Sequence, residues 1–203
     1  MKVFSRPLGF SVLASCLIIG LGSAPAEAQT GNASDVTGNI ITTSDIAGGA
    51  FQPLPSTPVR GTPVAAAIDA ALDESIARLA AGTLAPPANG LASGVTATDY
   101  RSAQTSLYSQ LVSPGGNAAA LQNSLIAQGA PAGPTQQLMT RLVSFLSGSP
   151  AAASLGATVQ AYNAVVGAAG ADFLTNIPAE FQVIQALLAE ANDAALSAAN
   201  TAQ

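Results

Sequence analysis

From residue 62 onward, large apolar side chains recur every three or four positions, the spacing that lines one face of an α-helix. Val64, Ile68, Leu72, Ile76 and Leu79 form the first stripe, opened by Thr62-Pro63 and closed by Gly82. Proline suits a helix start because the first N–H groups have no intrahelical partner, and glycine suits an end because it reaches left-handed φ freely. On the other side of this helix Asp69, Asp73, Glu74 and Arg78 are expected to face water. Residues 83–98 contain Pro86-Pro87 and several Gly/Ser turn signals, and read as a loop. A second helix is expected over about 99–112, capped by Thr98 and carrying Tyr100, Leu107, Tyr108 and Leu111, with Pro114-Gly115-Gly116 beyond it. A third runs over 117–128 with Leu121, Leu125 and Ile126, and stops at Gly129.

The same punctuation continues to the C-terminus. Gly133-Pro134 opens a fourth helix in which Leu138, Leu142, Phe145 and Leu146 share a face, ending at Gly148. Ser149-Pro150 opens a fifth with Leu155, Val159, Tyr162, Val165 and Val166, ending at Gly170. A short turn over 172–176 leads to Pro178 and a last helix that carries Phe181, Ile184, Leu188, Ala191, Ala195 and Ala198. Short loops between helices favour neighbours in space, so the pattern predicts an all-α fold, a bundle or orthogonal array of about six helices in a single domain over 62–203. Leu107-x3-Leu111-Val112-Ser113 recurs as Leu138-x3-Leu142-Val143-Ser144, but the aromatic and glycine positions of helical-hairpin repeats are missing, and a non-repeating bundle is expected.

Residues 29–61 break this rhythm. They are Gly, Ser, Thr, Asn, Asp and Pro with scattered aliphatics, an irregular or flexible arm. Ser34-Asp35-Val36-Thr37-Gly38 and Ser44-Asp45-Ile46-Ala47-Gly48 echo each other around Ile40-Ile41, so two short strands are the alternative. Val36, Ile40, Ile41, Ile46 and Phe51 have no use in a solvated leader. They are expected to dock on the helical domain or on a neighbouring molecule.

The first 28 residues have the layout of a secretory signal peptide: Lys2 and Arg6, an apolar run from Leu8 to Leu21, then Ala26-Glu27-Ala28 in the small-x-small pattern that is cleaved after Ala28. Two rival patterns share the segment. Leu13-Ala14-Ser15-Cys16 has the form of a lipoprotein box, which would leave a lipidated Cys16 and a tethered protein, although an apolar run follows it where a polar tether is usual. Gly9-Phe10 has the form of a prepilin junction, but Ala14 stands where that motif carries Glu. Ordinary cleavage implies a periplasmic or secreted protein of a bacterium, with no transmembrane anchor left afterwards. Cys16 would leave with the signal, so no disulfide is expected.

Composition then narrows the chemistry. The chain has no His and no Trp, its single Cys is Cys16, its single Lys is Lys2, and charged residues make up 8%. Beyond residue 28 there is no imidazole base, no thiolate and no amine for a Schiff base or a P-loop. A formal net charge of −5 argues against nucleic acid, whose binding rests on neutralising phosphates. Carboxylates are the remaining acid–base groups. Asp69, Asp73 and Glu74 cluster on the first helix and Glu190 and Asp193 lie three apart on the last, and both sets are expected on a solvated face, while Asp99 with Arg101 reads as a helix start with a nearby cation. Asn32, Asp35, Asn39 and Asp45 could offer oxygens to calcium, but in no EF-hand spacing, and Asn32-Ala33-Ser34 matches a glycosylation triplet that has no use in a bacterium. Tyr100, Tyr108 and Tyr162 fall on the apolar stripes and read as core. No catalytic, cofactor or metal residue is singled out.

What remains is an exported, non-enzymatic helical protein with a structural or interaction role, partnered by itself or by another envelope protein. A helical carrier of a small apolar ligand is the alternative, and a hydrolase working with carboxylates alone is a third.

Overall fold

The computed structural model describes Phe51, residues 62–147 and residues 151–201, all within one compact unit. The expected signal segment, the Cys16 and prepilin patterns, the Asn32–Asp45 oxygens and the arm other than Phe51 lie outside the described residues. So does Ser149-Pro150.

The described residues are all-helical, with seven helices and no strand among them: α1 Pro63–Ala81, α2 Ala97–Leu111, α3 Ala118–Ala127, α4 Ala132–Leu146, α5 Ala151–Ala168, α6 Ala171–Thr175 and α7 Ala179–Thr201. The termini follow local chemistry. Thr62 Oγ1 accepts the Ala65 N–H at 3.3 Å, Pro63 is the first helical residue, and Gly82 closes α1 at φ 67° while the Thr83 N–H returns to the Arg78 carbonyl at 2.9 Å. Asn117 caps α3 through the Ala120 N–H.

Three expectations change. Thr96, not Thr98, caps α2: its Oγ1 accepts the Asp99 N–H while the Asp99 carboxylate takes the Thr96 N–H, a reciprocal capping box that moves the helix start to Ala97. α4 starts at Ala132, two residues before Pro134, which is tolerated because first-turn N–H groups have no intrahelical acceptor. The turn expected over 172–176 is the short helix α6, wound far enough to bury Phe173.

α7 is the axis of the bundle. Every residue from Phe181 to Leu188 is buried, so the helix is covered on all sides, with α1, α2 and α5 against it. α4 lies along α5, and α3 bridges α2 and α4. The stripes read from the sequence supply the core: Ile68, Leu72, Leu79, Leu107, Leu125, Leu142, Phe145, Leu155 and Ile184 are all buried. The apparent repeat dissolves, because Val112 is the half-buried C-cap of α2 whereas Val143 is an exposed residue inside α4. Among the described residues no helix is long and apolar enough to cross a membrane.

Candidate functional site

Phe51 enters from outside the helices and is seated on them. Its ring is 2% exposed and meets Tyr162 of α5 edge-on, with centroids 5.0 Å apart. Tyr162 stacks on Phe181 of α7 at 4.8 Å, and Phe181 takes the edge of Phe173 from α6 at 5.3 Å. Four aromatic rings thus run in sequence from the arm to α6, in the offset and edge-to-face arrangements that their quadrupoles favour. The next residue of α5 satisfies the backbone of Phe51: Asn163 Oδ1 accepts the Phe51 N–H at 2.8 Å and Asn163 Nδ2 donates to the Phe51 carbonyl at 2.6 Å. One amide side chain therefore pairs with both groups of one residue, as a neighbouring strand would.

The same device recurs on α2. Gln104, 1% exposed, accepts the Leu84 N–H at 3.0 Å and donates to the Leu84 carbonyl at 2.9 Å, while the Leu84 side chain is buried beneath. Gln182 of α7 accepts the Ala92 N–H and donates to the Ile177 carbonyl, each at 2.9 Å. The Tyr100 hydroxyl donates to the Ala85 carbonyl at 2.9 Å. Buried amides and a phenol thus hold the non-helical segments to the bundle, which satisfies backbone groups that would otherwise be stranded away from water.

A separate polar cluster joins α1 to α7. Glu190, expected on a solvated face, is instead drawn in: Arg78 Nη1 donates to its Oε1 at 3.0 Å, and its side chain is only 23% exposed. The Ser75 hydroxyl lies against Glu190 Oε2 and also within 2.7 Å of the Ala71 carbonyl, so its single proton serves one acceptor at a time. Arg78 also reaches Glu74, one turn back, at 3.3 Å. The cation missing from the neighbourhood of Glu190 in sequence is supplied across the helix pair. Asp193 is exposed, as expected, yet partial desolvation of its carboxyl, and then the charge of Glu190, push it up from its usual range, and burial followed by the charge of Glu190 pushes up Tyr100. Burial alone pushes up Tyr162.

The other candidates are dispersed. Asp69, Asp73 and Glu74 are exposed on α1. Asp99 is exposed, and bonds from the Thr96 hydroxyl and N–H hold its carboxyl below the usual range. Tyr100 and Tyr162 are core residues and Tyr108 is half-buried. No three His, Cys, Asp or Glu residues gather as a metal site among the described residues. A cleft of about 580 Å³, open to solvent, has Asp99, Ser102, Ser106, Gln128 and Glu180 on its walls. Neither a protein-family model, nor a curated protein, nor a solved structure matches the chain.

The amide seats were not read from the sequence, yet a trace of them is there. Gln104 sits in register with Tyr100 and Leu107 on an otherwise apolar stripe, and a polar residue at such a position needs a buried partner. Asn163 carries no such mark, because it lies beside the stripe and its partner is 112 residues away.

Proposed function

We propose that the chain is an exported, non-enzymatic helical protein with a structural or interaction role in the bacterial periplasm or extracellular space, acting by association with itself or with another envelope protein. The observation that supports this reading is the seat of Phe51. There the helical domain holds a residue from outside the bundle by its ring and by both of its backbone groups. A surface that receives a non-helical residue in this way is equipment for association. Export rests on the signal pattern ending at Ala28.

The test is the form of the protein recovered from its source. N-terminal sequencing should begin at Gln29, and light scattering coupled to gel filtration should show a mass above that of one chain as the concentration rises from micromolar toward millimolar. An unprocessed chain retained in the cytoplasm would overturn export. A lipidated Cys16 would replace the released form by a membrane-tethered one.

A further inference from the structure

We propose that the pocket beside the 84–86 turn binds a small carboxylate with an apolar body and takes its charge on Arg101. This goes beyond the association reading above and does not depend on it. The pocket, about 390 Å³, lies where the C-terminus of α1, the loop after it and the first half of α2 meet. That size lies toward the lower end of the range that holds small molecules. The protein itself fixes the wall: Gln104 binds both the N–H and the carbonyl of Leu84, and the Tyr100 hydroxyl donates to the Ala85 carbonyl. Those bonds also decide what the pocket presents. Of the polar side chains on its wall, Tyr100 and Gln104 are committed to the loop, and Thr83 donates to the Arg78 carbonyl at 3.4 Å. Arg101 is left, and its guanidinium has no acceptor among the described residues.

Beyond these groups the lining is apolar, with Ala85, Pro86, Leu91 and Ala97 around the same space. A wall of this kind, with one uncommitted polar group to orient a ligand, is how small-molecule sites are built. The Arg101 stem lies against Gly82, where a Cβ would stand 3.0 Å from Arg101 Cγ. Its charge is thereby carried near the C-terminus of α1, whose dipole favours a cation. No carboxylate lines the pocket, and the acid nearest in sequence, Asp99, is bound by Thr96 and lines a different cleft. A guanidinium offers paired N–H donors that match the two oxygens of a carboxylate. A phosphate would bring a second charge, for which the wall has no second cation. The chemistry that fits is therefore a monocarboxylate whose remaining body is apolar.

The experiment follows the backbone amide NMR signals of the processed full-length protein as phenylacetate is added, with phenylacetamide, nearly the same shape without the charge, as the control. Phenylacetate should move the signals of Leu84, Ala85, Leu91 and Arg101 saturably, with a Kd on the order of 1 mM, the affinity open to a ligand of about ten non-hydrogen atoms. Phenylacetamide should act on the same signals about tenfold or more weakly, because the charge-assisted bonds are lost. Arg101→Gln keeps most of the stem and removes the charge. It should weaken phenylacetate about tenfold or more and leave phenylacetamide unchanged, whereas Leu91→Ala should weaken both ligands alike. Shifts that do not saturate by about 10 mM, or that gather at Arg78 or Arg141 instead, overturn the proposal. Equal affinity for the acid and the amide overturns it too, as does equal affinity of wild type and Arg101→Gln for phenylacetate. The comparison of acid with amide uses the wild-type chain alone, so it decides whatever a variant does to folding. None of these results bears on whether the chain associates, which light scattering reads separately.

Discussion

Gln104 offers the sharpest quantitative test of how the non-helical segments are held. Replacing it by Leu keeps the length and the burial but strips both partners from the Leu84 backbone. Two stranded backbone groups at about 1–3 kcal/mol each would cost about 2–6 kcal/mol. The loop can limit the loss by lifting off, which lets water reach Leu84 but exposes a side chain now 2% exposed, at about 2 kcal/mol. The smaller route decides, so a loss of about 2 kcal/mol is expected, which moves a urea midpoint down by about 1 M. Gln104→Glu separates hydrogen bonding from shape. Its carboxylate still accepts the Leu84 N–H but faces the Leu84 carbonyl with no proton to give, so its folded pKa must rise above the free value of about 4.3. A raised carboxyl pKa means that the folded state holds the proton more tightly. The deficit against wild type should therefore be full above the folded pKa and shrink as pH falls through it, while the Gln104→Leu deficit stays constant. Urea unfolding of all three proteins at pH 7 and pH 4, followed at the helical circular dichroism band, reads this directly. Gln104→Leu within about 0.5 kcal/mol of wild type would refute the reasoning, since substitutions that touch no special contact fall in that range.

Thr96→Ala removes the hydroxyl that accepts the Asp99 N–H and should cost about 1 kcal/mol in urea unfolding, whereas Thr98→Ala should be near neutral. Burial and Glu190 raise the folded pKa of Asp193, so its charge opposes folding above that pKa and the penalty vanishes below the unfolded value of about 3.9. Asp193→Asn should therefore raise the melting temperature at pH 7 and leave it unchanged near pH 3. A Cβ on Gly116 would collide with the backbone carbonyl of Gln110, so Gly116→Ala should destabilise by about 1–3 kcal/mol. Gly156→Ala, inside α5 with open space around it, should stabilise by about 0.5–1 kcal/mol, and thermal melts of the pair give opposite signs if the packing is as described.

The helices were legible because their signals are local. Thr62-Pro63 and Gly82 bracket α1 in sequence as they do in space, and the stripe from Val64 to Leu79 follows from a period that every turn repeats. Errors appeared where two local signals competed. Thr96 and Thr98 both precede the α2 stripe, and only the return bond from Asp99 at the third position favours Thr96. α6 is too short to show a period at all, and it exists because Phe173 gains a buried position beside Phe181.

The polar contacts were poorly legible for a different reason: their partners come from distant parts of the chain, and no periodicity encodes a pairing between Ser75 or Arg78 and Glu190. Exposure was the sound expectation for Glu190, an acidic residue among Ala and Asn without a nearby cation, and only the packing of α1 on α7 reverses it. Asn163 is the extreme case. On its own helix it is an unremarkable half-buried polar residue, and its role arises only when a residue from outside the bundle is laid across it. Yet the physical demand is general, since a non-helical residue brought into an all-helical core carries an N–H and a carbonyl that no helix ladder can pair. A segment docked on such a bundle therefore needs side-chain donors and acceptors at its landing point, and Gln104, Asn163, Gln182 and the Tyr100 hydroxyl each stand where non-helical chain meets a helix.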